Sequence, residues 1–384
     1  MKKGFLLGAG ASYNLGMPLT DELTKEFKSI LIAAIDTPYF KVQRNIFDLI
    51  YPILTNPNNT YEDIIGTLEV EIRRHENRAI SQQIHDVLSR YLELVYSILL
   101  SRHERNKNFI NLQLDFFKPI LEYCKDGPLW VFSLNHDVMI EIICSYFNIP
   151  LKCGFNEKLK INNIEFEMLS RSEMKKNKFS FHTKESGINL IKLHGSLDLF
   201  VKNDELNYIK VSIDKNDHLK IIEDLKKLDQ IEKETSISFG VRCTNEIAYY
   251  DEENILQFLR KTIISGKHKY STKISHTMDD WFFKLFKSYI NSVDELYSIG
   301  YGFLDPHINQ VLIDWLEFSS KRNITIVNPN IKNIPSNFSY LDKQIKIINS
   351  GIITFLNPNG SLVEKTKIFI TETLRNIFRE KFLA

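Results

Sequence analysis

Asn135 and Asp137 in "WVFSLNHDVMIE" and His194 in "LIKLHGS" each follow directly on an apolar, β-rich run. An imidazole placed there can take or give a proton near neutral pH. A carboxamide and a carboxylate beside it can hold hydroxyl groups or a water. Asn135 and Asp137 could equally cap the helical pattern that follows, which includes Glu141, and a lone histidine is often structural. Three more stretches share this layout. In "GFLLGAGASYNLGMPLTDEL", Gly8, Ala9, Gly10 and Ser12 follow the apolar run and precede a helical pattern. That arrangement brings backbone N–H groups and a helix N-terminus onto a phosphate, or forms a tight turn. In "SIGYGFLDPHINQVLIDWL", Gly300 and Gly302 flank Tyr301 and let backbone approach a ligand or turn, and Asp305-Pro306 starts a helix. In "ITIVNP", Asn328 is placed to reach a ribose hydroxyl or to make a turn.

Two nucleotide-loop patterns are excluded. No Lys-Ser or Lys-Thr pair follows "GAGAS", so it is not a nucleoside-triphosphate loop. Tyr13 occupies the third glycine position of the strict dinucleotide fingerprint. Taken together, five strand ends carrying Gly, Ser, Asn, Asp and His describe a polar cleft suited to a dinucleotide.

The elements that must position these residues follow from the pattern. "GFLLG", "LWVFSLN", "NLIKLHGS", "ELYSIGYG" and "NITIVNP" read as strands, each followed by a helical pattern or a turn. This predicts an α/β fold with a Rossmann-like parallel sheet. Residues 19–127 read as a helical insertion, with helical spacing in "YEDIIGTLEVEIRR" and "IHDVLSRYLELVYSILLSRHE". Residues 151–275 read as a smaller mixed α/β lobe: "KLKINNIEFEM" and "LNYIKVSI" alternate, and "LKIIEDLKKLDQIEKE" is amphipathic. "QIKIINSGIITF" reads as strand material, and a final helix closes the chain.

The 384 residues carry 49 Lys+Arg against 48 Asp+Glu, 43% hydrophobic and 25% charged residues. This is the balance of an ordinary globular protein, with no direct nucleic-acid or membrane partner indicated. The basic cluster at Arg171, Lys175, Lys176 and Lys178 reads as a solvated face. Cys124, Cys144, Cys153 and Cys243 form no CxxC pair, and a reducing cytoplasm is the simplest setting. Lys2, Lys3 and "GFLLGAGA" mimic a secretory signal, but the run is at the lower limit of length and "TDELTKEF" continues as an amphipathic helix. "YLELVYSILL" is too short to span a bilayer.

The ordered set "GAGAS", "SLNHD", "KLHGS", "IGYGFLD" and "IVN" resembles the sirtuin family, and within it the bacterial sirtuin-like proteins of anti-phage defence. "TYEDIIGTLE" is similar to the helix those proteins carry after their first strand. The resemblance runs from residue 4 to about 330 and implies one catalytic unit over residues 1–384. It implies an NAD-binding sheet in which Gly8, Ala9, Gly10 and Ser12 cradle the phosphates. Asn135 and Asp137 would face the nicotinamide ribose, His194 would be the catalytic histidine, and Gly300, Tyr301 and Asn328 would lie along the adenosine side. It further implies cleavage of NAD, as substrate, to nicotinamide and ADP-ribose in antiviral defence. Partners implied are a second copy of the chain, a HerA-type ATPase or an Argonaute-like protein. Two departures stand out. His136 sits between Asn135 and Asp137 where the family usually has an aromatic or aliphatic residue. The two CxxC pairs of protein-deacetylating members are missing, so no metal is expected. Deacylation, ADP-ribosyl transfer and a non-catalytic NAD- or ADP-ribose-sensing subunit are the alternatives.

Overall fold

The structure is a computed structural model that describes residues 2–202, 207–240, 243–266 and 280–383; residues 203–206, 241–242 and 267–275 of the 151–275 segment lie outside it. The strands, in chain order, are β1 (Lys3–Leu7), β2 (Pro128–Ser133), β3 (Leu151–Lys152), β4 (Glu157–Ile161), β5 (Ile164–Ser170), β6 (Gly187–Lys192) and β7 (Leu199–Lys202). They continue with β8 (Asn207–Val211), β9 (Glu246–Tyr250), β10 (Leu256–Lys261), β11 (Glu295–Ile299), β12 (Asn323–Val327) and β13 (Ile345–Ile348). Seven of them form one sheet in the order β13-β12-β11-β1-β2-β6-β3, and every adjacent pair is parallel. The chain is a Rossmann-like α/β fold.

The central strands are apolar almost throughout because both faces are covered. Phe5 and Leu7 of β1, with Leu129 and Val131 of β2, pack into one core; Leu6, Trp130 and Phe132, between them in sequence, pack into the other. The first core receives the helices Thr20–Ala34, Arg44–Thr55, Tyr61–Arg74 and Arg78–Arg105, all drawn from the 19–127 segment. Their apolar stripes recur at helical spacing, as in Leu23, Phe27 and Leu31. The second core is filled by Trp281–Tyr289 and Pro306–Glu317.

The segment 151–275 contributes to both sheets. β3 and β6 complete the parallel sheet, while β4-β5-β8-β7-β10-β9 make a separate antiparallel one. Within it, β4 and β5 are joined by Asn162 and Asn163, at φ of 47° and 65°. Both lie in the left-handed region that a two-residue hairpin turn of matching twist requires and that asparagine tolerates.

In the parallel sheet β1 is visited first and β11 only after β2, β3 and β6, so the strand order reverses between β1 and β11. Ligands in open α/β sheets bind beyond the carboxyl ends of the strands at such a reversal.

Candidate functional site

The parallel ladder continues one residue past β1, β2, β6, β11 and β12. Gly8 N–H donates to Ile299 O (3.0 Å), Leu134 N–H to Leu7 O (2.9 Å), Leu193 N–H to Ser133 O (2.8 Å), Gly300 N–H to Val327 O (2.9 Å) and Asn328 N–H to Ile348 O (3.1 Å). The next side chains, Asn135 and His194 among them, therefore rise from one edge of the sheet at a common level. They open onto a single cleft of about 910 Å³. Gly8, Ala9, Gly10, Asn135, Asp137, His194, Gly300, Tyr301 and Asn328 all line it. Ser12 does not; it is buried behind the wall.

The Asn135 amide hydrogens go to Gly8 O (2.9 Å) and Ser12 Oγ (3.1 Å), and its backbone N–H to Ser133 Oγ (3.2 Å). The Gly8 carbonyl can only accept, which fixes the amide nitrogen on that side and turns Oδ1 the other way. Asp137, the residue before the N-cap Val138, accepts on Oδ1 from Met139 N–H (3.1 Å), the first N–H of the helix Met139–Tyr146. Behind it, His103 Nδ1 meets Leu99 O (2.7 Å) and Nε2 accepts from Val138 N–H (3.3 Å). That pairing sets the tautomer with the proton on Nδ1. Burial lowers the His103 pKa against the pull of Asp137, so the ring is a neutral brace for the 134–138 loop.

The glycines serve backbone packing. A Cβ on Gly8 would lie 2.6 Å from Tyr301 Cα, and one on Gly300 would lie 2.3 Å from Ala11 N; Gly300 also has φ 64°. The two loops at the strand reversal thus touch backbone to backbone. Gly10 N–H donates to Gly300 O (3.0 Å) and Ala11 N–H to Gly8 O (2.9 Å), so these donors are already engaged. The Tyr301 phenol is hydrogen-bonded to the loop that follows it. It lies 2.9 Å from Asn309 Oδ1, accepts from Asp305 N–H (3.3 Å), and burial raises its pKa. Asn328 bridges loops: Nδ2 donates to Tyr301 O (3.1 Å) and Oδ1 accepts from Asn330 N–H (2.9 Å).

His194 is 5% exposed, and its Nε2 lies 3.3 Å from Asp305 Oδ2. This is a close contact that becomes an ion pair when the imidazole is protonated, and it is not a well-aligned hydrogen bond. The other oxygen, Oδ1, accepts from His307 N–H (2.9 Å) and Ile308 N–H (3.3 Å), capping the helix Pro306–Glu317. His136 packs beside this pair, its ring centroid 6.4 Å from that of His194.

Five carboxylates line the cleft, on Asp21, Glu62, Asp63, Asp137 and Asp305, and among the described residues no lysine or arginine does. Their origin is local. Three helices of twelve or more residues begin at the rim, Thr20–Ala34, Tyr61–Arg74 and Pro306–Glu317. Acidic side chains are favoured in first turns, where they meet unpaired N–H groups and the positive dipole end. Asp63 and Thr60 cap each other reciprocally (2.9 and 3.2 Å), as the sequence Thr60-x-x-Asp63 permits.

Sequence reading found the strand ends but not Asp305 as the neighbour of His194, nor the rim formed by Thr60–Asp63. The available signal for Asp305 was its place just after the "SIGYG" strand, on the same sheet edge as "KLHGS". Nothing in the sequence marks His103, which reaches the loop from the far end of a 28-residue helix.

No known family profile matches the chain, and no curated protein does. Among solved structures it is similar to Sir2Tm bound to a propionylated peptide, at 11% identity and TM-score 0.34 over 96% of this chain and 94% of that one. It is likewise similar to Sir2 in complex with an inhibitor, 2'-O-acetyl-ADP-ribose and a deacetylated peptide, at 12% identity and TM-score 0.33 over the same shares. Likeness this distant transfers no residue's role.

Proposed function

We propose that the chain is an NAD glycohydrolase, cleaving NAD to nicotinamide and ADP-ribose. The observation that supports this reading is the meeting of Asn135 and His194 on one cleft of about 910 Å³ at the strand reversal. That volume lies near the top of the roughly 300–1,000 Å³ range of small-molecule sites, as a dinucleotide needs.

The chemistry asks little of a general acid. Nicotinamide departs from a pyridinium as a neutral base, so only the oxocarbenium-like ribosyl centre and the attacking water need help. Asn135 Oδ1 holds water or a ribose hydroxyl, its amide end being fixed by Gly8 and Ser12. His194 takes the proton that water loses as its oxygen bonds to the ribosyl carbon. Asp137 orients the ribose from the neighbouring position. Free hydrolysis would drain a cell's NAD, so control by a second copy or by a partner, of HerA-type ATPase or Argonaute-like kind, belongs to the same proposal, as does a role in antiviral defence.

The test is direct. Purified protein is incubated with NAD, with and without an acylated peptide, and nicotinamide, ADP-ribose and acyl-ADP-ribose are quantified. Nicotinamide with stoichiometric ADP-ribose supports hydrolysis. Acyl-ADP-ribose or modified protein replaces it with transfer chemistry. NAD binding with no release under any condition makes the chain a sensor.

A further inference from the structure

We propose that Asp305 is the positioning residue of His194: one carboxylate oxygen is locked to its own helix so that the other sets the tautomer of the imidazole. This rests on the cleavage reading for its functional consequence, but not for its geometry. Oδ1 is held by two backbone N–H groups, from His307 and Ile308, and that fixes the carboxylate plane. Oδ2 is then the atom 3.3 Å from His194 Nε2, with both side chains largely shielded from water. The loop carrying Asp305 is itself braced by hydrogen bonds. Gly300 and Phe303 sit at φ 64° and 57°, and Asn309 Nδ2 donates to Phe303 O (2.8 Å). Asp305 N–H reaches the Tyr301 hydroxyl, whose ring is buried against Phe303. A left-handed, non-glycine residue in such a loop is the kind of strain that persists where a side chain must be held in place.

A carboxylate can only accept, so the neutral imidazole opposite it carries its proton on Nε2 and its lone pair on Nδ1. The proton taken up in the reaction then lands on Nδ1, while Nε2–H stays with Asp305 and the imidazolium is stabilised by the adjacent anion. The present contact is loosely aligned, as such pairs commonly are before substrate closes the site.

Asp305→Asn is the decisive variant. Asparagine is as good an N-cap as aspartate, so its oxygen keeps the two helix N–H groups and its amide faces His194. That amide is a donor, and it forces Nε2 to accept, which moves the ring proton to Nδ1. Asp305→Ser keeps a cap but removes the partner without supplying a donor. The readout is the ring nitrogen shifts of ¹⁵N-histidine-labelled protein, with His194 assigned by its loss in His194→Ala. Spectra are taken above the pH at which that ring titrates. The expected pattern is Nε2–H in the unaltered protein, inversion in Asp305→Asn, and a mixture in Asp305→Ser, all three folded with similar melting temperatures. Nicotinamide release falls roughly ten- to hundredfold in Asp305→Ser, where the orienting partner is lost, and up to about ten-thousandfold in Asp305→Asn, where the wrong tautomer is imposed. A Nδ1–H ring in the unaltered protein, or one tautomer shared by all three, overturns the proposal. If the unaltered protein releases no nicotinamide, the cleavage reading fails while the ring shifts still decide the pairing.

Discussion

Asn135 uses both amide hydrogens to join β2 to the first glycine loop, so it is structural and chemically placed at once. Asn135→Ala would leave the Gly8 carbonyl and the Ser12 hydroxyl without a buried donor, at a cost of about 1–3 kcal/mol in unfolding free energy. Denaturant titration should show that loss, and nicotinamide release should vanish. Ser12→Ala removes one of the two acceptors that fix this amide while Gly8 O keeps the other, so stability should fall and nicotinamide release should drop by less than in Asn135→Ala. His194→Ala should instead lower release by about a hundred- to ten-thousandfold with little change in melting. Gly300→Ala combines a left-handed backbone, about 1–2 kcal/mol, with a 2.3 Å approach to Ala11 N, and a buried clash adds about 1–3 kcal/mol. A variant that melted with the unaltered protein would refute the loop-to-loop packing. At this scale Asn135 and His194 were legible because each follows an apolar strand. What was not legible is how Tyr301, Asn328 and Asp137 divide themselves: much of their hydrogen bonding serves neighbouring backbone, which depends on loops meeting from distant positions.

The elements were easier to read than their pairing. "GFLLG", "LWVFSLN", "NLIKLHGS", "ELYSIGYG" and "NITIVNP" became β1, β2, β6, β11 and β12 because strands covered on both faces are apolar without interruption. β3 has two residues, too few to carry any pattern, and β7 and β10, each with a hairpin partner close by, also pair with each other from distant parts of the chain. One contact between layers titrates near neutrality. On the helix Lys220–Phe239, Glu232 lies 3.7 Å from Lys261 of β10, which also meets Glu93 (2.9 Å) from Arg78–Arg105. Burial pushes the Glu232 carboxyl up to about 7, against the attraction of Lys261 and helped by Glu93 and Asp229. A folded pKa above the unfolded one means the native state holds the proton longer. Stability from this group is therefore greatest at acid pH and declines as pH rises from the usual carboxylate range to about 7, then levels off. Glu232→Gln should flatten that segment of the curve of melting temperature against pH, and an unchanged slope would assign the titration elsewhere.

Across the whole molecule, the site loop is tied to the antiparallel sheet by four buried charges. Lys210 of β8 contacts Glu141 (3.0 Å) on Met139–Tyr146 and pairs with Asp198 just before β7; Lys192, at the end of β6, lies 3.5 Å from Glu141 and donates to the Asp137 carbonyl. Two cations face two anions, so the cluster is neutral as a set. Burial disfavours charge on Asp198, but Lys210 and Lys192 outweigh it and hold its carboxyl below the ordinary range; the same pairs raise Lys210 despite its burial. Asp198 therefore contributes stability above the unfolded carboxylate pKa, and that contribution is lost as pH falls through its folded value. Lys210→Met reverses the sign. With its main counter-ion gone, burial dominates, the carboxyl pKa rises above its unfolded value, and the variant regains stability on acidification. We expect a loss of about 3–5 kcal/mol near neutral pH, the range for removing one partner of a buried pair. The difference from the unaltered protein should narrow between pH 8 and pH 5 by chemical denaturation, since Glu232 titrates in both and cancels. Parallel curves would mean that the cluster does not hold the two sheets together. A matching loss of nicotinamide release at pH 8, with recovery toward pH 5, would show that the Asp137 loop is positioned from the antiparallel sheet.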